Sequence, residues 1–128
     1  MNCPEWILRE TVLALHEQML AEFGGSCGLR DEGLLDSALG RPENLIGYGE
    51  PSLSELAASY TFGLVRNHPF VDGNKRIGFA IGVLFLQINW RKLVATEVDA
   101  VVQTLALAAG EISEAEYASW LRANSEEM

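Results

Sequence analysis

The feature that most constrains this chain is the uncharged run Ile77–Trp90, which follows a dense polar cluster without a break. The run has 14 residues, whereas a helix that crosses a bilayer needs about 20. It is apolar on all sides, which is typical of a helix that other elements cover. Its β-branched residues also allow a buried strand, but its length without a turn signal favours a helix. We therefore predict a buried central helix over residues 74–89.

Two helices and a loop are predicted before residue 52. Apolar residues recur at three- and four-residue steps from Val12 to Phe23, which indicates a helix with one apolar face. GGSCG ends this helix, and a second helix, LRDEGLLDSALG, ends at Gly40. The segment 41–51, RPENLIGYGEP, is predicted to be a loop or short flap, because it contains two prolines and two glycines. The apolar tip of this loop is formed by Leu45, Ile46 and Tyr48. Either this tip pins the loop to the core, or it docks a partner.

Capping signals mark the beginnings of later helices. Ser52 and Glu55 have the spacing of a capping box, and so do Ser113 and Glu116. Thr96 precedes a further apolar segment that ends in glycine. The total is about six helices and no convincing strand. We therefore predict an all-α fold around the central helix, with all 128 residues in one domain.

Charge is distributed unevenly along the chain. The formal net charge of −9 argues against general affinity for nucleic acid or anionic lipid. Between residues 56 and 96, five basic side chains and one acidic side chain give a net charge of +4, while the remainder carries −13. A basic middle in an acidic chain suits a local anion site, although a chance gap between acids produces the same pattern.

The cysteine content and the N-terminal sequence indicate a cytoplasmic protein. Cys3 and Cys27 are too few and too irregularly spaced for a disulfide framework or a metal cluster. The first residues, MNCPEWILRE, lack the basic start and long apolar core of a signal peptide. We expect reduced thiols, a cytoplasmic location and no membrane span.

The polar cluster in NHPFVDGNKR, residues 67–76, lies where the central helix should begin. The first turn of a helix has free backbone N–H groups and the positive end of the dipole, a combination that binds phosphate. Gly73 lets the backbone approach a ligand closely. Lys75 and Arg76 add positive charge, and the planar guanidinium matches phosphate oxygens. Asn74 adds a neutral donor, so the cluster predicts a phosphate site.

Two residues of the cluster suggest a reaction as well as binding. Asp72 would repel phosphate, but a bound Mg²⁺ can bridge a carboxylate and phosphate oxygens. His68 lies at the rim of the site and suits the role of a general base for a hydroxyl that attacks phosphorus. Phe70, two residues later, can anchor the loop in the core. The cluster therefore indicates phosphoryl or nucleotidyl transfer. Singly, each residue has a simpler explanation. For example, Asp-Gly is the commonest hairpin signal.

HPFVDGNKR resembles the motif of the Fic family, His-x-Phe-x-(Asp/Glu)-Gly-Asn-(Gly/Lys)-Arg. It is most similar to the Doc ("death on curing") branch, which comprises toxins of bacterial toxin–antitoxin pairs. LHEQMLAEFGGSCGLRDEGLLDSALGRPENL and ELAASYTFGLVRNHPF are also similar to Doc. The resemblance covers residues 8–123 and implies a small all-α fold, in agreement with the predicted helices.

The resemblance implies a role for each motif residue. His68 would be the catalytic base, Phe70 would hold the loop in the core, and Asp72 would bind Mg²⁺. The ATP phosphates would lie in a cradle formed by Gly73, Asn74, Lys75 and Arg76. Arg66 would be a further cation that assists the phosphates. The loop 41–51 would be the flap that docks the target segment.

The resemblance also bears on which phosphate is transferred. Most AMP-transferring members have Gly at the position of Lys75, and many have Arg at the position of Phe79. Both departures resemble Doc, whose members transfer the γ-phosphate of ATP to the translation factor elongation factor Tu and arrest translation. Gly73 stands where the Doc prototype has Ala, and is the general Fic choice. The alternatives are a Doc-like protein Ser/Thr kinase toxin, a Fic-type AMP transferase, and a non-catalytic module that binds nucleotide or a partner.

Many Fic proteins carry an inhibitory helix with the pattern Ser/Thr-x-x-x-Glu-(Gly/Asn), and we find no match to it in this sequence. The resemblance to Doc therefore implies an external inhibitor. This cognate antitoxin would be disordered until bound, and its tail would lie along apolar surface near the active-site groove. Direct nucleic-acid binding by the toxin alone is not expected.

Overall fold

A computed structural model describes residues 3–128 and contains six helices. They are α1 (Arg9–Phe23), α2 (Glu32–Ile46), α3 (Leu53–Asn67), α4 (Asn74–Ile88), α5 (Glu97–Ala109) and α6 (Glu114–Ala123). The all-α prediction and the number of helices are confirmed. The predicted capping residues Ser52, Thr96 and Ser113 each accept a hydrogen bond from the first turn of their helix. Met1 and Asn2, the first residues of the N-terminal segment MNCPEWILRE, lie outside the described residues.

Within residues 3–128, no helix combines the length and the apolar character that crossing a membrane requires.

Helices α3 and α4 pack closely at the centre of the fold. Gly78 and Gly82 face α3, and a Cβ atom on Gly82 would collide with Thr61 Oγ1. The Thr61 hydroxyl donates a hydrogen bond to the Gly78 carbonyl at 2.8 Å. The four-residue spacing of these glycines therefore allows the two helices to approach closely.

Helix α4 is buried most completely where it faces α3. Ile77, Ile81 and Phe85 are 0% exposed. The opposite face is only half-buried, because α1 covers it incompletely. Between α1 and α4 lies an apolar groove of about 770 Å³. The expectation of cover on every side thus holds for the α3 face and only in part for the α1 face.

Helix α2 is longer than the sequence predicted. We expected it to end at Gly40 and to be followed by a loop over 41–51, but it continues through Pro42 to Ile46. A proline inside a helix removes one backbone hydrogen bond. Packing against α3 compensates, since Pro42 is buried and a Cβ on Gly63 would lie only 3.1 Å from Ala38 Cα. The segment between the two helices is therefore limited to residues 47–52.

Two short strands correct the prediction of no strand. β1 (Arg91–Leu93) and β2 (Ser125–Glu127) pair antiparallel, with Lys92 opposite Glu126. β1 begins within NWRK, directly after the end of α4. The sequence Ser-Glu-Glu of β2 has low strand propensity, so this pairing depends on the packing of α4 and α6, which place the two segments side by side.

Candidate active site

The residues 68–73, here called the motif loop, connect α3 to α4. His68 is the C-cap of α3 and has left-handed backbone angles, φ 52° and ψ 54°. Few residues other than glycine adopt this conformation. The backbone N–H of His68 still donates to the Leu64 carbonyl at 3.2 Å, and His68 is exposed. The imidazole is therefore accessible to an external hydroxyl group.

Phe70 lies within the motif loop, and its side chain is buried in the core, 1% exposed. Its ring stacks on that of His16 with 3.7 Å between the ring centroids. Its backbone N–H donates to Asn74 Oδ1 at 3.0 Å, and its carbonyl accepts from Asn74 Nδ2 at 2.9 Å. Phe70 thus occupies the position that an anchor of the loop requires.

Asn74 contributes to the site differently from the way that its residue type suggested. We expected its side-chain amide to be a donor for phosphate, but this amide is buried and holds both backbone groups of Phe70. The backbone N–H of Asn74 lies in the first turn of α4, where intrahelical acceptors are absent. Its contribution to an anion site therefore comes from the main chain.

The first turn of α4 is open and positively charged. Gly73 is the N-cap, with φ 80°, and no side chain caps this turn. The turn contains no acidic residue, and Lys75 and Arg76 are exposed. Free N–H groups, the positive end of the dipole and two cations therefore coincide at one position, which is the arrangement that binds a phosphate group.

The Asp72 carboxylate is held beside this turn. Its Oδ1 atom accepts from the Gly73 N–H at 2.9 Å, and Oδ2 accepts from the Ser26 N–H at 3.2 Å. A Cβ on Gly25 would lie 2.9 Å from Oδ2, so a side chain there would displace the carboxylate. Asp72 is itself exposed and retains lone pairs for another ligand.

The donor set fits Mg²⁺ that is shared with a nucleotide. Among residues 3–128, no group of three or more His, Cys, Asp or Glu side chains could hold a metal ion alone. Mg²⁺ commonly binds one or two carboxylates and completes its shell with phosphate oxygens and water. Asp72 can supply such a carboxylate beside the phosphate site.

His16 was missed by the sequence analysis. It lies on the apolar face of α1, is 5% exposed, and its Nε2 atom is 2.7 Å from the Asp72 carbonyl oxygen. Since a carbonyl oxygen only accepts, Nε2 carries the proton. The available signal was a polar residue four positions after Val12 in an apolar helix face. By contrast, Phe23, which we placed on that face, is 57% exposed and lies under the Arg76 guanidinium.

The segment 24–31, here called the bracing loop, was also missed. Gly28 accepts a hydrogen bond from the Val71 N–H at 3.0 Å, and Pro69 accepts from the N–H groups of Arg30 and Asp31. The Arg30 side chain donates to the carbonyls of His68 and Asn67. The bracing loop therefore holds the motif loop through these hydrogen bonds and through the Ser26 N–H, which donates to Asp72.

Arg66 and the predicted flap lie apart from this network. The Arg66 guanidinium carbon is 5.7 Å from the Phe62 ring centroid, and among residues 3–128 no hydrogen bond joins Arg66 to the motif loop. Leu45 packs against the core, whereas Ile46 and Tyr48 are 41% and 90% exposed. Pinning thus applies to Leu45, and a docking role for Ile46 and Tyr48 stays a prediction.

Comparison with known proteins agrees with the motif. A sequence model of the Fic/DOC family matches residues 6–86, which include the whole motif loop and the first turn of α4. The chain is 43% identical over 94 residues to Toxin Doc of Mycolicibacterium smegmatis, a match that covers 71% of this chain and 69% of that protein. It is 33% identical over 114 residues to Protein kinase doc of Escherichia phage P1, covering 88% and 90% of the two chains.

Proposed function

The chain belongs to the Fic/DOC family, and we propose that it is a Doc-like toxin of a toxin–antitoxin pair. Its activity would be transfer of the γ-phosphate of ATP to a hydroxyl group of a protein, which makes it a protein Ser/Thr kinase. The observation that carries this proposal is the uncapped, positively charged first turn of α4, with an exposed imidazole and an exposed carboxylate on the loop before it.

Binding of the ATP phosphates would use the main chain and two side chains. The first N–H groups of α4 would donate to phosphate oxygens, and Lys75 and Arg76 would balance the remaining charge. Asp72 would hold Mg²⁺, which neutralises phosphate charge when it is bound. Arg66 would need to leave Phe62 in order to reach the nucleotide, so its assisting role is the least supported of these assignments.

His68 would act as the general base. Its imidazole would take the proton from the target hydroxyl as that oxygen bonds to the γ-phosphorus. The bond between this phosphorus and the bridging oxygen breaks, and ADP leaves. A positioned base contributes about 10²- to 10⁴-fold to rate. The exposed position of His68 supports this role, because the hydroxyl belongs to a second protein.

The transfer of the γ-phosphate in preference to AMP is supported by the second turn of α4. Phe79 lies there, half-buried, and lines with Phe23, Lys75 and Arg76 a groove of about 590 Å³. An apolar ring therefore occupies the position where the resemblance places a second Arg in many AMP transferases. Gly73 is the observation that favours the alternative, a protein adenylyltransferase.

The target and the inhibitor are proposed from the family. The target would be a translation factor, elongation factor Tu, which is consistent with a cytoplasmic location. A cognate antitoxin would inhibit the enzyme, and the apolar groove between α1 and α4 suits an amphipathic segment of such a partner. The walls of this groove include Leu15, Met19, Phe79, Val83 and Leu84.

The test uses ATP labelled with ³²P at either the α- or the γ-position, incubated with the purified chain, Mg²⁺ and elongation factor Tu. We expect label on the factor from γ-labelled ATP alone. Label from α-labelled ATP would instead establish an adenylyltransferase. If neither label is transferred, elongation factor Tu is wrong as the target, and the same two reactions in a cell lysate decide between the activities.

A further inference from the structure

We propose that Arg30 is a positioning residue for the transfer reaction, because its guanidinium holds the main chain at the catalytic base. This inference rests on the proposed function in one respect, the role of His68. Arg30 Nε donates to the His68 carbonyl at 2.7 Å, and Nη2 donates to the Asn67 carbonyl at 3.0 Å. One planar group thereby fixes two consecutive carbonyls, one of which belongs to the base itself.

The position of Arg30 suits this role electrostatically. The last carbonyls of a helix have no intrahelical partner and carry the negative end of the dipole. Asn67 is the last residue of α3, and His68 is its C-cap. A guanidinium donates two parallel, charge-assisted hydrogen bonds to such a pair, which an ammonium group does less well. Arg30 therefore completes the C-terminus of α3.

The backbone of His68 needs such support. A residue with a side chain persists in left-handed angles only where its surroundings over-determine them. His68 has φ 52° and precedes Pro69, whose carbonyl accepts from the Arg30 and Asp31 N–H groups at 2.7 and 3.0 Å. Loss of the Arg30 side chain leaves these backbone bonds in place. A substitution therefore removes only the contacts to the Asn67 and His68 carbonyls.

No competing use of the Arg30 charge is visible. Among the described residues 3–128, ion pairs involve Arg9 and Arg41, and none involves Arg30. Its donors point to the backbone at His68, on the α3 side of the motif loop, whereas the two cations of the proposed phosphate cradle, Lys75 and Arg76, lie on α4. Arg30 should therefore influence the rate of transfer and leave ATP binding unchanged.

The kinetic test compares Arg30→Ala with Arg122→Ala, in which another exposed arginine near a helix C-terminus is removed. For Arg30→Ala we expect kcat for transfer to fall on the order of 10- to 100-fold, since small misplacement of a reacting group has effects of this size. KM for ATP should stay within about twofold, because the phosphate site is untouched. Arg30→Lys should recover part of kcat, and Arg122→Ala should match the wild type.

A second readout is independent of activity. The chain contains two histidines, so its imidazole NMR spectrum has two sets of signals, and His68→Ala assigns them. We expect Arg30→Ala to shift the His68 ring and backbone signals and to leave buried His16 unchanged. Unchanged His68 signals, or an unchanged kcat in an active enzyme, would overturn the proposal. If Arg30→Ala shifts the His68 signals but the wild-type protein transfers no label, the positioning role of Arg30 is upheld and the proposed function is overturned.

Discussion

Helices α3 and α4, which pack against each other at the centre of the fold, begin in opposite ways. At the start of α3, Ser52 Oγ accepts from the Glu55 N–H at 3.1 Å, and Glu55 Oε1 accepts from the Ser52 N–H at 3.0 Å. At the start of α4, Gly73 offers no side chain, and the first turn carries cations. The N-terminus of α3 is closed by its own residues, and that of α4 is left open.

The two helices also differ in what a side chain near the helix start contacts. In α3 the side chain of Glu55 reaches back to the N-cap, whereas in α4 the side chain of Asn74 reaches back past Gly73 to Phe70. The side chain of Asn74, the first residue of α4, therefore holds the motif loop and does not cap the helix. An N-cap is worth about 1 kcal/mol, and α4 forgoes it. Packing against α3 supplies the stability that its first turn lacks.

Removal of the proposed base should have the largest effect, and it tests whether the open start of α4 serves transfer or binding alone. For His68→Ala we expect kcat to fall by about 10²- to 10⁴-fold. ATP affinity, measured by calorimetry, should be nearly unchanged because the phosphate site is intact. Full activity in this variant would show that His68 is not the base.

The hold of the Asn74 side chain on Phe70 is tested by Asn74→Ala. This change leaves the buried Phe70 N–H and carbonyl without partners, which should lower the free energy of unfolding by about 2–4 kcal/mol. Urea denaturation measures this loss. Asn124→Ala, which removes one half-buried bond to the Trp120 carbonyl, should cost less. Equal losses in both variants would contradict the bracing role of Asn74.

Making α4 begin like α3 should have opposite effects on binding and stability. Lys75→Glu replaces a first-turn cation with an acid, so KM for ATP should rise on the order of 100-fold through charge repulsion. The same change should raise the free energy of unfolding by about 0.5–2 kcal/mol, because an acid suits the positive end of the dipole. A stability decrease would refute this interpretation of the open turn.

The smallest effect on activity should come from the closed helix start. Ser52→Ala removes the cap of α3 and should lower the free energy of unfolding by about 1 kcal/mol. Ser113→Ala, in the matching capping box of α6, should do the same. Transfer rates measured below the unfolding temperature should equal that of the wild type in both variants. A rate loss confined to Ser52→Ala would show that the start of α3 is coupled to the site.

Helix boundaries were predictable where local chemistry sets them. The capping boxes and Thr96 mark the beginnings of α3, α6 and α5 at the expected residues. The end of α2 was not predictable in this way. Gly40 and Pro42 are helix-breaking signals, yet the chain stays helical to Ile46, with Pro42 buried and α2 packed closely on α3 at Ala38 and Gly63.

The candidate site divides along the same line. The open start of α4, with Asp72 and His68 before it, follows from nine contiguous residues, because the dipole, the free N–H groups and the added charges are local properties. The roles of His16 and Arg30 arise from contacts across 56 and 38 positions of sequence. No pattern in the chain specifies which distant carbonyl a side chain will reach.

The sequence by itself therefore determined that this chain is helical, where its central helix begins, and which residue types form the candidate phosphate site there. Only the tertiary structure decided what holds that site in place: the bracing loop, the imidazole behind Phe70 and the guanidinium at the end of α3. Helix caps, the helix dipole and charges in the first turn depend on neighbouring residues, so the sequence alone predicts them. Support from distant segments exists only after packing has brought their donors within hydrogen-bond distance of the motif loop.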